Sequence, residues 1–157
     1  MPGYLLDSNH VHGIFHQQPS VVKKFRLLPD GTQVRLCVIT LGEIEAGHQM
    51  TRSGVPERRA DYAKHVIAKY HSSALGVSVG TRIYYAQILG RIWQLHPPPS
   101  KDVGTEEHLV SLKVDINDVW TAAIAWEHGL VFVTRDRMKR IKEVLKADEL
   151  KVENWFG

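Results

Sequence analysis

The chain has 157 residues, the usual size of a compact domain, so we expect a single domain over residues 1–157. Its hydrophobic fraction of 43% and charged fraction of 24% are ordinary for a globular protein and argue against disorder. With 20 lysines and arginines against 17 aspartates and glutamates, the net charge is +3, which permits a polyanionic partner without requiring one.

The chain has one cysteine, Cys37, so no intramolecular disulfide can form, which fits a reducing compartment. No apolar run approaches the roughly 20 residues that cross a bilayer. The first residues lack the basic and apolar regions of a signal peptide. We therefore expect a cytoplasmic protein with no membrane partner.

Short apolar runs predict the strands. The clearest runs cover residues 4–6, 34–39 and 130–133, and weaker ones cover residues 77–79 and 151–152. Runs of this length suit strands that are buried on both faces, as in a parallel sheet.

Apolar residues spaced at i, i+3, i+4 and i+7 predict helices between these strands, within residues 63–70 and 119–126, and another short apolar stripe predicts a helix within residues 138–145. Residues 81–96 also have a helical pattern, with Ile83, Ala86 and Trp93 near one face, and the prolines that follow predict a loop over residues 97–104. Because strands and helices alternate, the sequence predicts an α/β fold with helices covering a parallel sheet.

Four acids fall at equivalent places in this pattern. Asp7 directly follows the first strand, and Glu43 lies in the first turn of the helix expected after the second. Asp118 opens a helix, and Asp136 follows the strand at residues 130–133. Because the carboxyl ends of parallel strands meet at one edge of a sheet, these four side chains should converge there.

Each acid, taken alone, also suits a helix N-terminus. Residues 40–43 match a capping box, and Asp7, Asp118 and Asp136 could each cap a helix or favour its dipole. Taken together, four close carboxylates repel one another unless protons or cations relieve the charge. Oxygen ligands of this kind suit Mg²⁺ or Mn²⁺ better than Zn²⁺.

These segments resemble a known family. The opening LLDSN at residues 5–9 is similar to the L-D-T-N strand end of PIN domains, with Ser8 in place of Thr. Residues 38–47 resemble the family's S-x-I-T-x-x-E-L-x-x-G segment, and residues 116–125 resemble its D-x-x-I-A-A-x-A helix. Residues 130–136 resemble its L-V-T-x-D strand end, and residues 152–155 are similar to its closing strand and tail. Among PIN domains the chain looks like the VapC-type toxin ribonucleases, although Trp120, Thr121 and Met138 depart from the usual residues.

The resemblance implies a PIN-like three-layer fold, in which helices cover a central parallel sheet of about four to five short strands. It also implies an endoribonuclease that depends on Mg²⁺, with Mn²⁺ as a substitute, and that uses Asp7, Glu43, Asp118 and Asp136 as catalytic and metal-binding residues. The implied partners are an RNA substrate such as tRNA, a cognate antitoxin protein and a second copy of the chain in a homodimer.

Three further residues are candidates for supporting these carboxylates. Asn9 and Thr134, and also Ser8, are placed to hydrogen-bond them, although the same residues suit ordinary turns and caps. Asp115 rivals Asp118 as the third acid, and Asp118 is preferred because the alanine-rich helix follows it in the family's register.

Basic residues next to Asp136 are candidates for contacts with RNA phosphates, which give affinity without sequence information. The alternative is a solvated helix face. The residues are Arg135, Arg137, Lys139, Arg140 and Lys142, with Lys23, Lys24, Arg26, Arg52, Arg58 and Arg59 as further candidates.

The histidines near the N-terminus are expected at the surface or facing RNA. His12 and His16 are spaced to share a helix face and could bind Zn²⁺, but no Glu or Cys completes the set. Cys37 is expected in the core.

Two other functions remain open. One is a catalytically silent PIN-like RNA-binding or adaptor module, which would gain nothing from clustered carboxylates. The other is a phosphohydrolase of small phosphate esters, which the absence of a glycine-rich phosphate loop disfavours.

Overall fold

The computed structural model describes residues 2–50 and 56–157, with side chains excluded for residues 56–60. Its strands are β1 (Tyr4–Leu6), β2 (Val34–Arg35), β3 (Val131–Val133) and β4 (Val152–Glu153). Its helices are α1 (Ser8–Phe15), α2 (Pro19–Arg26), α3 (Val38–Gln49), α4 (Pro56–Tyr70), α5 (Thr81–Leu95), α6 (Thr105–Ser111), α7 (Ile116–Glu127) and α8 (Lys139–Val144), with a short 3₁₀ turn at His71–Ser73.

The four strands form one parallel sheet in the order β2-β1-β3-β4. Tyr4 is in register with both Val34 and Val131, and Phe132 is in register with Val152. Parallel neighbours need crossover connections, which the helices supply. The predicted α/β fold is confirmed.

The sheet separates two hydrophobic cores, because successive side chains of a strand point to opposite faces. Leu5 and Phe132 belong to the core formed with α5, α7 and α8. Leu6, Val131 and Val133 belong to the core formed with α1, α3 and α4. This arrangement gives the three layers that the PIN-like fold requires.

The second strand is shorter than predicted. It ends at Arg35, and α3 already begins at Val38, so residues 38 and 39 are helical. Between the two elements, Cys37 forms an isolated parallel bridge with Leu75. The apolar run continues through the junction of strand and helix, so hydrophobicity could not mark the boundary. The weak strand at residues 77–79 does not form, and Val79 is largely exposed.

Helix α5 forms where it was predicted, but the predicted stripe is wrong. Its fully buried apolar side chains are Ile88 and Ile92, whereas Ile83 is 48% exposed and Ala86 is exposed. The loop over residues 97–104 is confirmed, and the short helix α6 that follows it was not predicted. In the described part of the chain, no helix is long and apolar enough to cross a membrane.

Candidate active site

Asp7 lies between the end of β1 and the start of α1, and it is 8% exposed. Its Oδ1 accepts hydrogen bonds from the backbone N–H and from Nδ1 of His10, both at 2.8 Å. Its Oδ2 accepts a bond from the backbone N–H of Arg135 at 3.1 Å. Burial acts to raise the pKa of this carboxyl, but the bonds from His10 outweigh burial and lower the pKa below its usual value. Asp7 is thus both a helix cap and a fixed, ionised carboxylate.

Asp118 does not cap its helix. The cap of α7 is Asp115, whose Oδ1 accepts a hydrogen bond from the backbone N–H of Asn117 at 2.8 Å. Asp118 stands one turn further on, half-buried. Burial, followed by the charges of the surrounding acids, raises the pKa of Asp118 to about 7. This carboxyl is therefore held at the boundary between its neutral and charged forms at physiological pH.

Glu43 does not form the predicted capping box. Because α3 begins at Val38 and its cap, Cys37, makes no side-chain cap bond, Glu43 falls in the second turn of the helix. Burial and then the charges of Asp115, Asp7 and Asp136 raise the pKa of Glu43. Glu43 therefore faces the same acids as Asp118.

Asp136 lies in the loop between β3 and α8, and the predicted capping role is again wrong. The cap position of α8 is Met138, which has a left-handed backbone with φ of 44°. The backbone N–H of Asp136 donates to Oγ1 of Thr134 at 3.1 Å. Burial, then the charges of Asp7 and Asp115, raise the pKa of Asp136.

These pKa shifts place the four predicted acids in one electrostatic environment, together with Asp115. All the donors are carboxylate oxygens, which suits the chemistry of a hard divalent cation. In residues 2–50 and 56–157, however, no group of three or more His, Cys, Asp or Glu side chains stands ready to hold an ion. The cluster therefore fits a cation by its charge and donor type, without a preformed coordination sphere.

A cavity of about 610 Å³ opens beside this cluster. Asp115, Asp118 and Asp136 contribute to its wall, and so do the basic side chains of Lys113, Arg137, Lys139 and Arg140. Lys113 was not predicted. It lies two residues before Asp115, and only this closeness in the sequence could have suggested it.

The basic residues that were predicted to contact RNA lie in different environments. Arg140 bonds to Glu143 at 3.1 Å, and the guanidinium of Arg135 lies 4.7 Å from the centre of the Phe156 ring. Lys142 lines a different cavity with Leu145. The three basic residues of α2 also lie away from the acids, lining two further cavities: Lys23, Lys24 and Arg26. Arg52 and the side chains of Arg58 and Arg59 lie outside the described residues.

Two of the predicted supporting residues, Thr134 and Asn9, lie in different environments. Thr134 is buried, and its hydroxyl links Asp136 to Asp7, because it accepts from the Asp136 N–H and also hydrogen-bonds the Asp7 carboxylate. Asn9 is exposed on α1. The third, Asp115, is the cap of α7 described above.

The three histidines near the N-terminus are not alike. His12 and His16 are exposed, as predicted, with ring centres 4.0 Å apart. His10 is fully buried, so its expected place at the surface is wrong. The reason is that His10 lies three residues after Asp7 and is drawn inward by its bonds to that carboxylate. Cys37 is buried, as expected.

No protein-family model matches the sequence, and no curated protein matches it significantly. The fold, however, matches solved structures over nearly the whole chain. A chain of VapBC2 from Rickettsia felis, bound to a DNA fragment from its promoter, has 19% identity and a TM-score of 0.65, covering 97% of this chain and 98% of that chain.

Two further solved structures match as well. A chain of VapBC-1 from nontypeable Haemophilus influenzae has 16% identity and a TM-score of 0.68, over 98% of both chains. A chain of DNA-bound VapBC from Salmonella typhimurium has 20% identity and a TM-score of 0.68, over 99% of both chains. This likeness confirms the PIN-like fold of VapBC toxin–antitoxin structures.

Proposed function

We propose that this chain is a VapC-type toxin that cleaves RNA as a divalent-metal-dependent endoribonuclease. The observation that carries the proposal is the crowding of acids around half-buried Asp118, where burial and then the charges of the neighbouring acids raise its pKa to about 7. Crowded carboxylates are costly to a fold unless a cation occupies them in the working state. The fold shared with VapBC structures supports the choice of a toxin over other PIN-like proteins.

We assign different roles to the four acids in holding Mg²⁺ or Mn²⁺. Asp7 and Asp118 are assigned as direct ligands, and Glu43 and Asp136 complete the site. Ion binding would include some movement of these side chains toward one another. When bound, the ion supplies positive charge against the phosphodiester and makes water a stronger nucleophile.

The chain's own residues supply the remaining chemistry. Glu43 lies among the acids of the site, and its carboxylate would accept a hydrogen bond from the attacking water and hold it in place. The basic side chains of the cavity beside the acids, such as Arg137 and Lys139, would hold RNA phosphates. Hydrolysis by water leaves a 5′-phosphate and a 3′-hydroxyl, so the product ends report the mechanism.

The proposed partners follow from the same comparison. The matching structures include VapBC complexes, so a cognate antitoxin is proposed for this chain, along with a homodimer and a cytoplasmic location. An arginine from the antitoxin could pair with the acids in the place of a cation and silence the site.

The central experiment incubates the purified protein with a total tRNA pool in Mg²⁺, Mn²⁺ or EDTA. We expect cleavage that requires the metal and is lost in Asp7→Asn. Asn is as good a helix cap as Asp, so this variant removes the charge and keeps the start of α1. Asp30→Asn, an exposed carboxylate away from the site, is the matched control and should cleave normally. Retention of RNA without cleavage in any metal would favour the silent RNA-binding module instead.

A further inference from the structure

His10 joins the Asp7 carboxylate to the end of the chain. Its ring is fully buried, and its Nδ1 lies 2.8 Å from Asp7 Oδ1. On the other side of the ring, Nε2 lies 3.0 Å from the backbone nitrogen of Trp155. The imidazole thus bridges a predicted catalytic residue and the C-terminal tail, residues 152–157.

The Trp155 contact fixes the protonation pattern of the ring. A backbone N–H can only donate, so Nε2 of His10 must carry the lone pair that accepts it. The single proton of the neutral imidazole is therefore on Nδ1, from where it is donated to Asp7. A ring protonated on both nitrogens would place two N–H groups head to head at Trp155.

Aromatic side chains of the tail pack against the His10 ring. The rings of Trp155 and Phe156 meet His10 edge-on, with centres 5.9 Å and 4.8 Å away. Gly13 leaves the space for Phe156, because a Cβ at this position would lie 3.3 Å from the end of that ring. Packing thus confines the plane of the ring, and the hydrogen bonds to Asp7 and from Trp155 decide which nitrogen faces Asp7.

The tail that holds His10 is itself anchored at several points. The Trp155 indole nitrogen donates to Glu153 at 2.9 Å, and the backbone N–H of Gly157 donates to Ser20 at 3.0 Å. Glu153 lies in β4, and its carbonyl accepts from the Thr134 N–H at 2.9 Å, in the segment that leads to Asp136. The tail is therefore connected to the site both through His10 and through the hydrogen bond between Glu153 and Thr134.

We propose that His10 is a positioning residue, which fixes the orientation of the Asp7 carboxylate for a divalent cation. The inference rests on the proposed function. Groups that hydrogen-bond a metal-ligating carboxylate typically change metal affinity by about 10–100-fold when they are removed. His10 is the buried group that donates two bonds to the same oxygen of Asp7.

Two amide substitutions test the two side-chain hydrogen bonds of His10 separately. In His10→Asn the amide reaches the place of Nδ1, so the donor to Asp7 is kept. In His10→Gln the amide reaches the place of Nε2, so the contact with Trp155 is kept and the donor to Asp7 is lost. By calorimetric titration with Mn²⁺, we expect near wild-type affinity for His10→Asn and about tenfold or weaker affinity for His10→Gln.

The matched control is His108→Gln. His108 is also buried, and its Nε2 donates to the His96 carbonyl at 2.6 Å, away from the acids. This substitution should lower the melting temperature without changing Mn²⁺ affinity. A purely structural role for His10 would give the same result at both positions.

A second measurement needs no variant. Nitrogen NMR of the metal-free wild-type protein should show the His10 proton on Nδ1, and a proton on Nε2 would overturn the proposal even if His10→Gln fails to fold. Equal Mn²⁺ affinity of His10→Gln and wild type would overturn the positioning role alone. No Mn²⁺ binding by the wild type would overturn the proposed function, and this inference with it.

Discussion

Asp115 caps helix α7 through the backbone N–H of Asn117, and Asp118 stands one turn further along the same helix. The two acids are three residues apart, and in the sequence Asp115 was the rival of the preferred Asp118. The hydrogen bond gives the structural role to Asp115 and leaves Asp118 among the other carboxylates. The charged form of Asp118 is disfavoured at that position, as its raised pKa indicates.

Asp118→Asn should stabilise the metal-free protein above neutral pH. The pKa of Asp118 is about 7 in the fold and about 3.9 in an unfolded chain, so folding favours its protonated form. Stability is therefore lost as the pH rises from about 4 to about 7, and the loss is complete above that range. Solvent screens this half-buried group, so we expect a gain on the order of 1 kcal/mol, or roughly 2–4 °C in melting temperature.

The check is thermal melting in EDTA at pH 8 and at pH 4. The gain should be present at pH 8 and absent at pH 4, where the wild-type carboxyl is already neutral. Asp115→Ala is the contrasting variant and should lose about 1 kcal/mol, because it removes a helix cap. A destabilised Asp118→Asn at pH 8 would mean that neither burial nor the neighbouring acids disfavour the charge of Asp118.

Divalent cations should stabilise the protein more at high pH than at low pH. The raised pKa values of Asp118, Glu43 and Asp136 mean that protons compete with a cation for the same oxygens. The rise in melting temperature on adding Mn²⁺ should be larger at pH 8 than at pH 6, and EDTA should remove it. A rise that is equal at both pH values would contradict a site made of these carboxylates.

Lys139 should contribute to RNA affinity and Lys142 should not. Both residues are exposed on α8, but Lys139 lines the cavity beside the acids and Lys142 lines another one. We expect Lys139→Gln, made in the Asp7→Asn background so that RNA stays intact, to weaken tRNA binding. It should also reduce the slope of log affinity against log salt by about one. Fluorescence anisotropy over a KCl series gives both values, and equal slopes for Lys139→Gln and Lys142→Gln would disprove this placement.

Thr134→Val should impair both stability and cleavage. The substitution keeps the shape of the side chain but removes the hydroxyl that bonds the Asp136 N–H and the Asp7 carboxylate. We expect a loss of about 1–3 kcal/mol, because Thr134 is buried and its partners are left unpaired. Metal-dependent cleavage should fall about tenfold or more. Thr134→Ser keeps the hydroxyl, so it should retain cleavage, and a similar loss in both variants would point to packing alone.

The sequence was most informative where strands end. The apolar runs located β1 and β3 closely, so the acids that follow them could be assigned to one edge of the sheet. It was least informative at the start of α3, where buried residues continue from strand into helix without a break. The sequence could not decide which acids cap a helix and which face other acids, because both kinds occur near the start of a helix. Asp115 bonds the backbone of α7, whereas Asp118 faces other acids.

Tertiary contacts explain the other errors. The buried side of α5 is set by its packing against α7, not by the count of apolar residues along the helix. His10 looked like a surface residue because histidine is often exposed, and its partner Trp155 is 145 residues away in sequence. Only the spacing of Asp7 and His10, three residues apart at a helix start, hinted at their contact.

The outer strands of the sheet, β2 and β4, contain only two residues each, and Leu75 hydrogen-bonds the chain just beyond β2. Such short borders offer few free backbone groups to an extended segment from another molecule. In the part of the fold described, the edges of the sheet therefore offer little template for strand addition by a partner or for strand-to-strand aggregation.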